Sequence, residues 1–222
     1  MKSLPAVPAL AEPVEAYELS DQITGCDPAA KPGVVAFKDF ILGTVGVGSS
    51  AGIVRDCGVG KPSYHHLGRA WDWSVAVSSA EESNAAQAVL DWLLATDPSG
   101  NEHAMYRRSG LVYMIWNRQI WTSKTKKWSA YTGADAHTDH IHFSFGEPGA
   151  MARTSFYRWL GVEPVTPPGP GPLPIVPMQG SNLLAGIMGL ALGAGLGYIL
   201  GTKMAQSRTR IGGGMRSAAR RV

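Results

Sequence analysis

Two stretches far apart in the chain carry the residue types of a hydrolytic metal centre. The first, Ser63-Tyr64-His65-His66-Leu67-Gly68-Arg69-Ala70-Trp71-Asp72, offers a histidine and a carboxylate seven residues apart across a glycine. The second, His137-Thr138-Asp139-His140-Ile141-His142-Phe143-Ser144-Phe145, offers a histidine pair at strand spacing beside an acid. Four of the six histidines, at 65, 66, 140 and 142, fall in these segments, and His137 sits at the edge. A catalytic zinc keeps three protein ligands of nitrogen or carboxylate oxygen in a tetrahedral array and leaves one position for water. His65, Asp72 and His142 satisfy that requirement, so Zn2+ is the expected cofactor. Such a site also needs an unligated base within reach of the water.

From His140 to Phe145 polar and apolar residues alternate. In a strand this puts His140, His142 and Ser144 on one face and turns Ile141, Phe143 and Phe145 to the core. His140 therefore shares a face with His142, whereas an ideal strand points Asp139 to the other side unless the chain bends before it.

The pattern Ser-x-His-x-x-Gly-x-Ala-x-Asp, matched by Ser63, His65, Gly68, Ala70 and Asp72, resembles the signature of the D-Ala-D-Ala carboxypeptidase and Hedgehog superfamily of zinc peptidases. That superfamily includes vancomycin-resistance dipeptidases and phage L-alanyl-D-glutamate endolysins. Their second motif, an acid, two residues and the last zinc ligand, is similar to Asp139-His140-Ile141-His142. The resemblance implies Asp139 as the base; related peptidases with a His-x-His ending imply His140. More closely, His65 to Trp73, Asp91 to Asp97, Ile115 to Arg118 and His137 to Phe145 are similar to a branch of secreted actinobacterial wall-associated domains. The likeness covers roughly residues 20–160.

Arg55, upstream of Ser63, is a candidate clamp for a substrate carboxylate or developing oxyanion, because guanidinium forks onto paired oxygens. His66 and His137 are expected to support or lie outside the ligand set, since a fourth ligand would close the water position. The tryptophans at 71, 73, 92, 116, 121 and 128 are expected to be core or cleft wall.

At 222 residues, 45% hydrophobic and 17% charged, the chain can bury one ordinary core with tails to spare. Cys26 and Cys57 lie too far apart for a paired thiolate metal motif, which leaves one disulfide or two free thiols. The resemblance to exported domains implies the disulfide.

Residues 1–22, with Pro5, Pro8 and Pro13, read as an irregular arm and not as a signal peptide, and ordered structure is expected from about Pro32. Val34 to Leu42 has helical spacing and should stop near Gly43. Ser79 with Glu82 makes a capping box for a helix with Ala86, Val89, Leu90, Leu93 and Leu94 on one face. A short helix is expected over 101–109, a hairpin over Leu111–Trp116 and Gln119–Thr122 turning at Asn117-Arg118, a strand at 140–145 and a closing helix over 151–160. With no βαβ rhythm and no glycine-rich phosphate loop, the expected fold class is α+β: a small antiparallel sheet with flanking helices carrying the zinc site, plus a C-terminal transmembrane helix.

The expected organisation is an arm at 1–22, a zinc peptidase-like domain at 23–162, a proline-rich linker at 163–182, a glycine-rich transmembrane helix at 183–202 and a basic tail at 203–222. Seven of fifteen prolines fall between Glu163 and Pro177, a semi-rigid spacer. Leu183 to Leu200 is an uncharged apolar run of eighteen residues, long enough to enter a lipid bilayer. Gly189, Gly193, Gly197 and Gly201 recur every fourth residue as a ridge for homo-oligomeric helix contact. Lys203, Arg208, Arg210, Arg216, Arg220 and Arg221 follow with no acid; without them fourteen basic residues face seventeen acidic ones. The overall charge of +3 thus belongs to the tail, and no nucleic acid is expected as a partner of the domain.

These features lead to the expectation of a zinc metallopeptidase acting on the peptidoglycan stem peptide or crosslink, anchored in a membrane with its domain on the wall-facing side. An outward domain without a signal peptide points to a phage virion-associated lysin, against a bacterial tail-anchored wall enzyme. The rival from another class is a non-catalytic structural or membrane-penetrating virion protein that binds cell wall through a zinc fold. A hydrolase of a non-peptide substrate is a third.

Overall fold

A computed structural model describes residues 3–165. The first regular element, α1 (Pro32–Val45), starts with Pro32, whose fixed φ suits the first helical turn and whose missing N–H costs nothing there. Val34, Phe37, Ile41 and Val45 recur at helical spacing and are buried. The helix runs past the expected stop at Gly43 to Gly46, which takes φ 71° and donates its N–H to the Leu42 carbonyl. After β1 (Ser49–Gly52), one 3-10 turn (Tyr64–Leu67) and β2 (Ala70–Ser74), α2 spans Ala80–Leu94. Ser79 caps α2 by accepting from the Glu82 N–H, but the Glu82 carboxylate accepts from the Ala76 N–H instead of closing the expected box.

The remaining elements are α3 (Ala104–Arg108), β3 (Leu111–Trp116), β4 (Gln119–Thr122), β5 (Trp128–Ala130), β6 (His140–Phe145), α4 (Glu147–Ala150) and α5 (Ser155–Trp159). The β3–β4 hairpin turns at Asn117 and Arg118, with φ of 45° and 62°. Two consecutive positive φ values match the right-handed twist of the flanking strands. The helix expected over 151–160 is only α5, because Ala152 at φ 58° breaks the chain before it, and α4 is an additional turn that precedes the expected span. Strands β1 and β5 were not expected: they are three or four residues long and largely exposed, so no apolar alternation marks them.

The six strands form one antiparallel sheet in the order β1-β2-β6-β3-β4-β5. Trp71, Trp73, Phe143, Phe145 and Met114 turn to one face and are buried there. Phe37 of α1 sits edge-on to Trp71, Phe143 and Phe145, and close to Phe156 of α5. Such aromatic contacts add about 0.5–1.5 kcal/mol per pair beyond area burial. With one face sealed by helices, the other is free to carry polar side chains.

Two sequence expectations need correction. The fold is α+β with a small antiparallel sheet and flanking helices, but among the described residues no helix is long and apolar enough to cross a membrane. The transmembrane helix assigned to 183–202, with its bilayer contact and glycine ridge, lies outside the described residues, as do the basic tail and all but the first three residues of the linker. The arm before α1 is irregular yet packed. Trp92 Nε1 donates to the Pro5 carbonyl, and the buried Arg108 donates to the Glu12 carbonyl and to Ser155 Oγ. Buried guanidinium and indole donors need acceptors, and an extended segment with unpaired carbonyls supplies them.

Cys26 and Cys57 form a disulfide. It ties the end of the arm to the loop preceding His65. Replacing both cysteines by serine is expected to lower unfolding stability by about 3.7 kcal/mol, because the bridge closes a loop of some 31 residues. Urea unfolding of the two chains checks it; equal midpoints would refute it.

Candidate metal centre

His65 is delivered by the 3-10 turn. Ser63 precedes it with its backbone N–H donating to His66 Nδ1, while His66 Nε2 donates to the Val59 carbonyl. His66 thus spends both ring nitrogens on holding the turn. Gly68 ends the turn at φ 61°, and a Cβ there would lie 1.9 Å from the Ala29 carbonyl oxygen. Any side chain at this position would meet both a left-handed backbone and a collision. The fixed serine and glycine of the motif therefore aim His65 without touching an ion.

Asp72 and His142 face each other directly across β2 and β6. Cross-strand partners have neighbouring Cβ atoms on the same face. His142 Nδ1 lies 2.8 Å from Asp72 Oδ1, His65 Nε2 3.1 Å from Asp72 Oδ2, and the two imidazole nitrogens are 3.3 Å apart. A tetrahedron with zinc–nitrogen bonds of about 2.0–2.1 Å has edges of about 3.3–3.4 Å. The outer nitrogens are committed elsewhere: His65 Nδ1 donates to the Ile53 carbonyl at 2.9 Å, and His142 Nε2 meets Ser144 Oγ at 2.7 Å. That outer bonding is what fixes the tautomer and orientation of metal-ligating histidines.

The donor set also calls for a cation on electrostatic grounds. With its Nδ1 proton on Ile53, a neutral His65 turns its Nε2 lone pair toward a carboxylate and a second imidazole nitrogen. Only an added proton or a metal ion between them relieves that arrangement, and a dication serves all three donors together. Burial drives the Asp72 carboxyl up, but the hydrogen bonds it accepts when His142 and His65 carry a proton on the facing nitrogen outweigh it and hold the group well below the usual carboxylate range. Burial pushes His142 down, toward the neutral form that binds metal. The residues present fit a zinc ion.

The other expected site residues fall around this triad. His140, on the same face of β6, places Nε2 3.9 Å from Asp72 Oδ1, and its Nδ1 donates to Asp139 Oδ1 at 2.8 Å. Asp139 itself is 81% exposed and is engaged with the imidazole. The hydrogen bond from His140 holds the Asp139 carboxyl below its ordinary range. Arg55 lines the same cleft, about 350 Å³ in volume, and its backbone N–H donates to the His65 carbonyl. Sequence reasoning missed four residues that line the cleft, Tyr113, Ile115, Tyr131 and Asp135. Tyr113 stacks on His142 with ring centroids 5.5 Å apart, while Tyr131 and Asp135 lie beyond His137. His137 is buried in the wall, its ring 4.6 Å from that of His140. Its signal was the spacing His137-x-x-His140-x-His142.

Beneath the turn, Asp21 of the arm accepts two hydrogen bonds from Arg69 and one from Tyr64, the neighbour of His65. Burial raises the Asp21 carboxyl, but the Arg69 and Tyr64 donors prevail and lower it. A depressed folded-state pKa contributes stability above the unfolded pKa and loses it as pH falls through the folded one. Asp21→Asn should therefore cost about 1 kcal/mol or less at neutral pH, given the half-exposed carboxylate. The gap from the parent chain should close below roughly pH 4. Thermal melts across pH check it, and a gap that widens in acid would contradict it.

A family model described as the VldE C-terminal domain matches residues 26–142. The matched span includes both cysteines, Arg55, the three donors and His140. It supports a peptidase-like hydrolase. Comparison with curated proteins and with solved structures returned no significant match.

Proposed function

We propose that this chain, which belongs to the VldE C-terminal domain family, is a zinc-dependent peptidase that cleaves a peptide bond in the peptidoglycan stem peptide or crosslink. The observation that carries this reading is the convergence of His65, Asp72 and His142 within 2.8–3.3 Å in an open cleft, beside an imidazole already paired with a carboxylate. When bound, the ion supplies Lewis acidity to a water and to the carbonyl under attack.

The chain's own residues do the rest. His140 Nδ1 gives its proton to the Asp139 carboxylate as a hydrogen bond, which leaves Nε2 as a lone pair facing the donor triad. Nε2 is positioned to accept the proton of the attacking water and return it to the leaving amine. Asp139 orients the ring and stabilises the imidazolium formed. The chain bends at Thr138 and Asp139, just before β6, yet the Asp139 side chain stays 81% exposed and bonded to His140 Nδ1, which favours His140 as the proton acceptor. Arg55, at the rim, is the group placed to meet a substrate carboxylate or the oxyanion. The disulfide supports placement in an oxidising, wall-facing compartment.

The test is digestion of purified sacculi by the full-length chain charged with one equivalent of zinc, read by muropeptide mass spectrometry. New amino termini at one stem-peptide bond are expected. Binding of sacculi with no product released would leave a wall-binding module instead.

A further inference from the structure

A second donor cluster shares the cleft wall. Asp135, His137 and His140 each offer one ligand atom, all within 4.8 Å of one another. The ring orientations are set by the same device as in the first triad. His137 Nδ1 donates to the Asp135 carbonyl at 2.9 Å, and His140 Nδ1 donates to Asp139 Oδ1 at 2.8 Å, so each ring keeps Nε2 as its free donor. The loop is held to this shape: the His137 N–H donates to Asp135 Oδ1, and its carbonyl accepts from Asn117 at the hairpin turn. His137 itself sits at φ 49°, a left-handed conformation that a histidine adopts at a cost. Asp72 stands between the clusters, with Oδ1 2.8 Å from His142 Nδ1 and 3.9 Å from His140 Nε2.

We propose that Asp135, His137 and His140 form a second zinc site, next to the first across the Asp72 carboxylate. Two imidazoles and one carboxylate suit zinc. The second site is the weaker, because the Asp135 side chain is exposed to water and must give up rotamer freedom to bind an ion. Its consequence rests on the function proposed above: an ion there occupies the lone pair of His140 Nε2 and removes the proton acceptor, so excess zinc inhibits.

Metal-free full-length chain, titrated with zinc alone and assayed for bound metal after dialysis, tests the site without reference to activity. Two ions are expected for the parent chain and one each for His137→Ala and His65→Ala. Asp135→Asn, on the exposed loop, serves should His137→Ala fail to fold by circular dichroism. The parent chain's activity should fall at least tenfold between one and two equivalents of zinc, and that of Asp135→Asn should not. A single ion lost only in His65→Ala overturns the second site and leaves the proposed function standing. Two ions retained in both Asp135→Asn and His137→Ala also overturn it, and no ion at all overturns both proposals.

Discussion

Replacing Asp72 by alanine is expected to abolish zinc retention at the His65–His142 site and to reduce turnover of sacculi by roughly a thousandfold or more. The carboxylate touches both histidines, at 2.8 and 3.1 Å, and among the described residues no other acid joins that triad. Losing the ion forfeits several kcal/mol of transition-state charge stabilisation, and each 1.36 kcal/mol is about tenfold in rate. Asp72→Ala also leaves His65 and His142 opposed at 3.3 Å with nothing between them. Two imidazoles without the shared carboxylate are one donor short of a three-ligand zinc site, so the loss will not be rescued by added zinc. Elemental analysis beside the sacculus assay checks both parts. Full activity in a zinc-free Asp72→Ala chain would end the metallopeptidase reading.

Replacing His140 by alanine should cost about a hundredfold to ten-thousandfold in turnover, the usual contribution of a positioned base, while the first zinc stays bound. This separation distinguishes a proton acceptor from a ligand. Asp139→Ala should do less, about tenfold to a hundredfold, as for a carboxylate that orients a histidine from outside. The ordering follows from geometry: His140 Nε2 is 3.9 Å from Asp72 Oδ1, whereas the Asp139 carboxylate is turned to solvent and to His140 Nδ1. Rate profiles of the three chains on one muropeptide substrate decide it. An inactive Asp139→Ala beside an active His140→Ala would assign the base to Asp139.

Much of the site was legible because its ligands lie on short local patterns. The strand at 140–145 is readable from alternation alone, which places His140 and His142 side by side. The pattern Ser63, His65, Gly68, Ala70, Asp72 is a turn followed by a strand, and each fixed residue has a local reason: a cap, a positive φ, a small buried side chain. Helix α2 was readable from Ser79 and the spacing of its apolar residues. Strands β1 and β5 were not, because edge strands of three or four exposed residues take their identity from the partner that pairs with them. Ala152 at φ 58° between α4 and α5 is another case, a break that the residue type does not announce.

By itself the sequence determined which side chains carry chemistry and which faces of their elements they occupy, since periods of 2 and 3.6 are properties of the backbone. Only the tertiary structure decided how those elements meet. The β2–β6 register sets Asp72 against His142; a slip by one residue would send one of them to the opposite face. It also set His140 Nε2 3.9 Å from Asp72 Oδ1 with the Asp139 carboxylate on the other ring nitrogen, and it placed His137 in the cleft wall. Those outcomes depend on which carbonyl lies beside which imidazole. Contacts between residues far apart in the chain, such as Ile53 with His65 and the arm's Asp21 with Arg69, settle that choice.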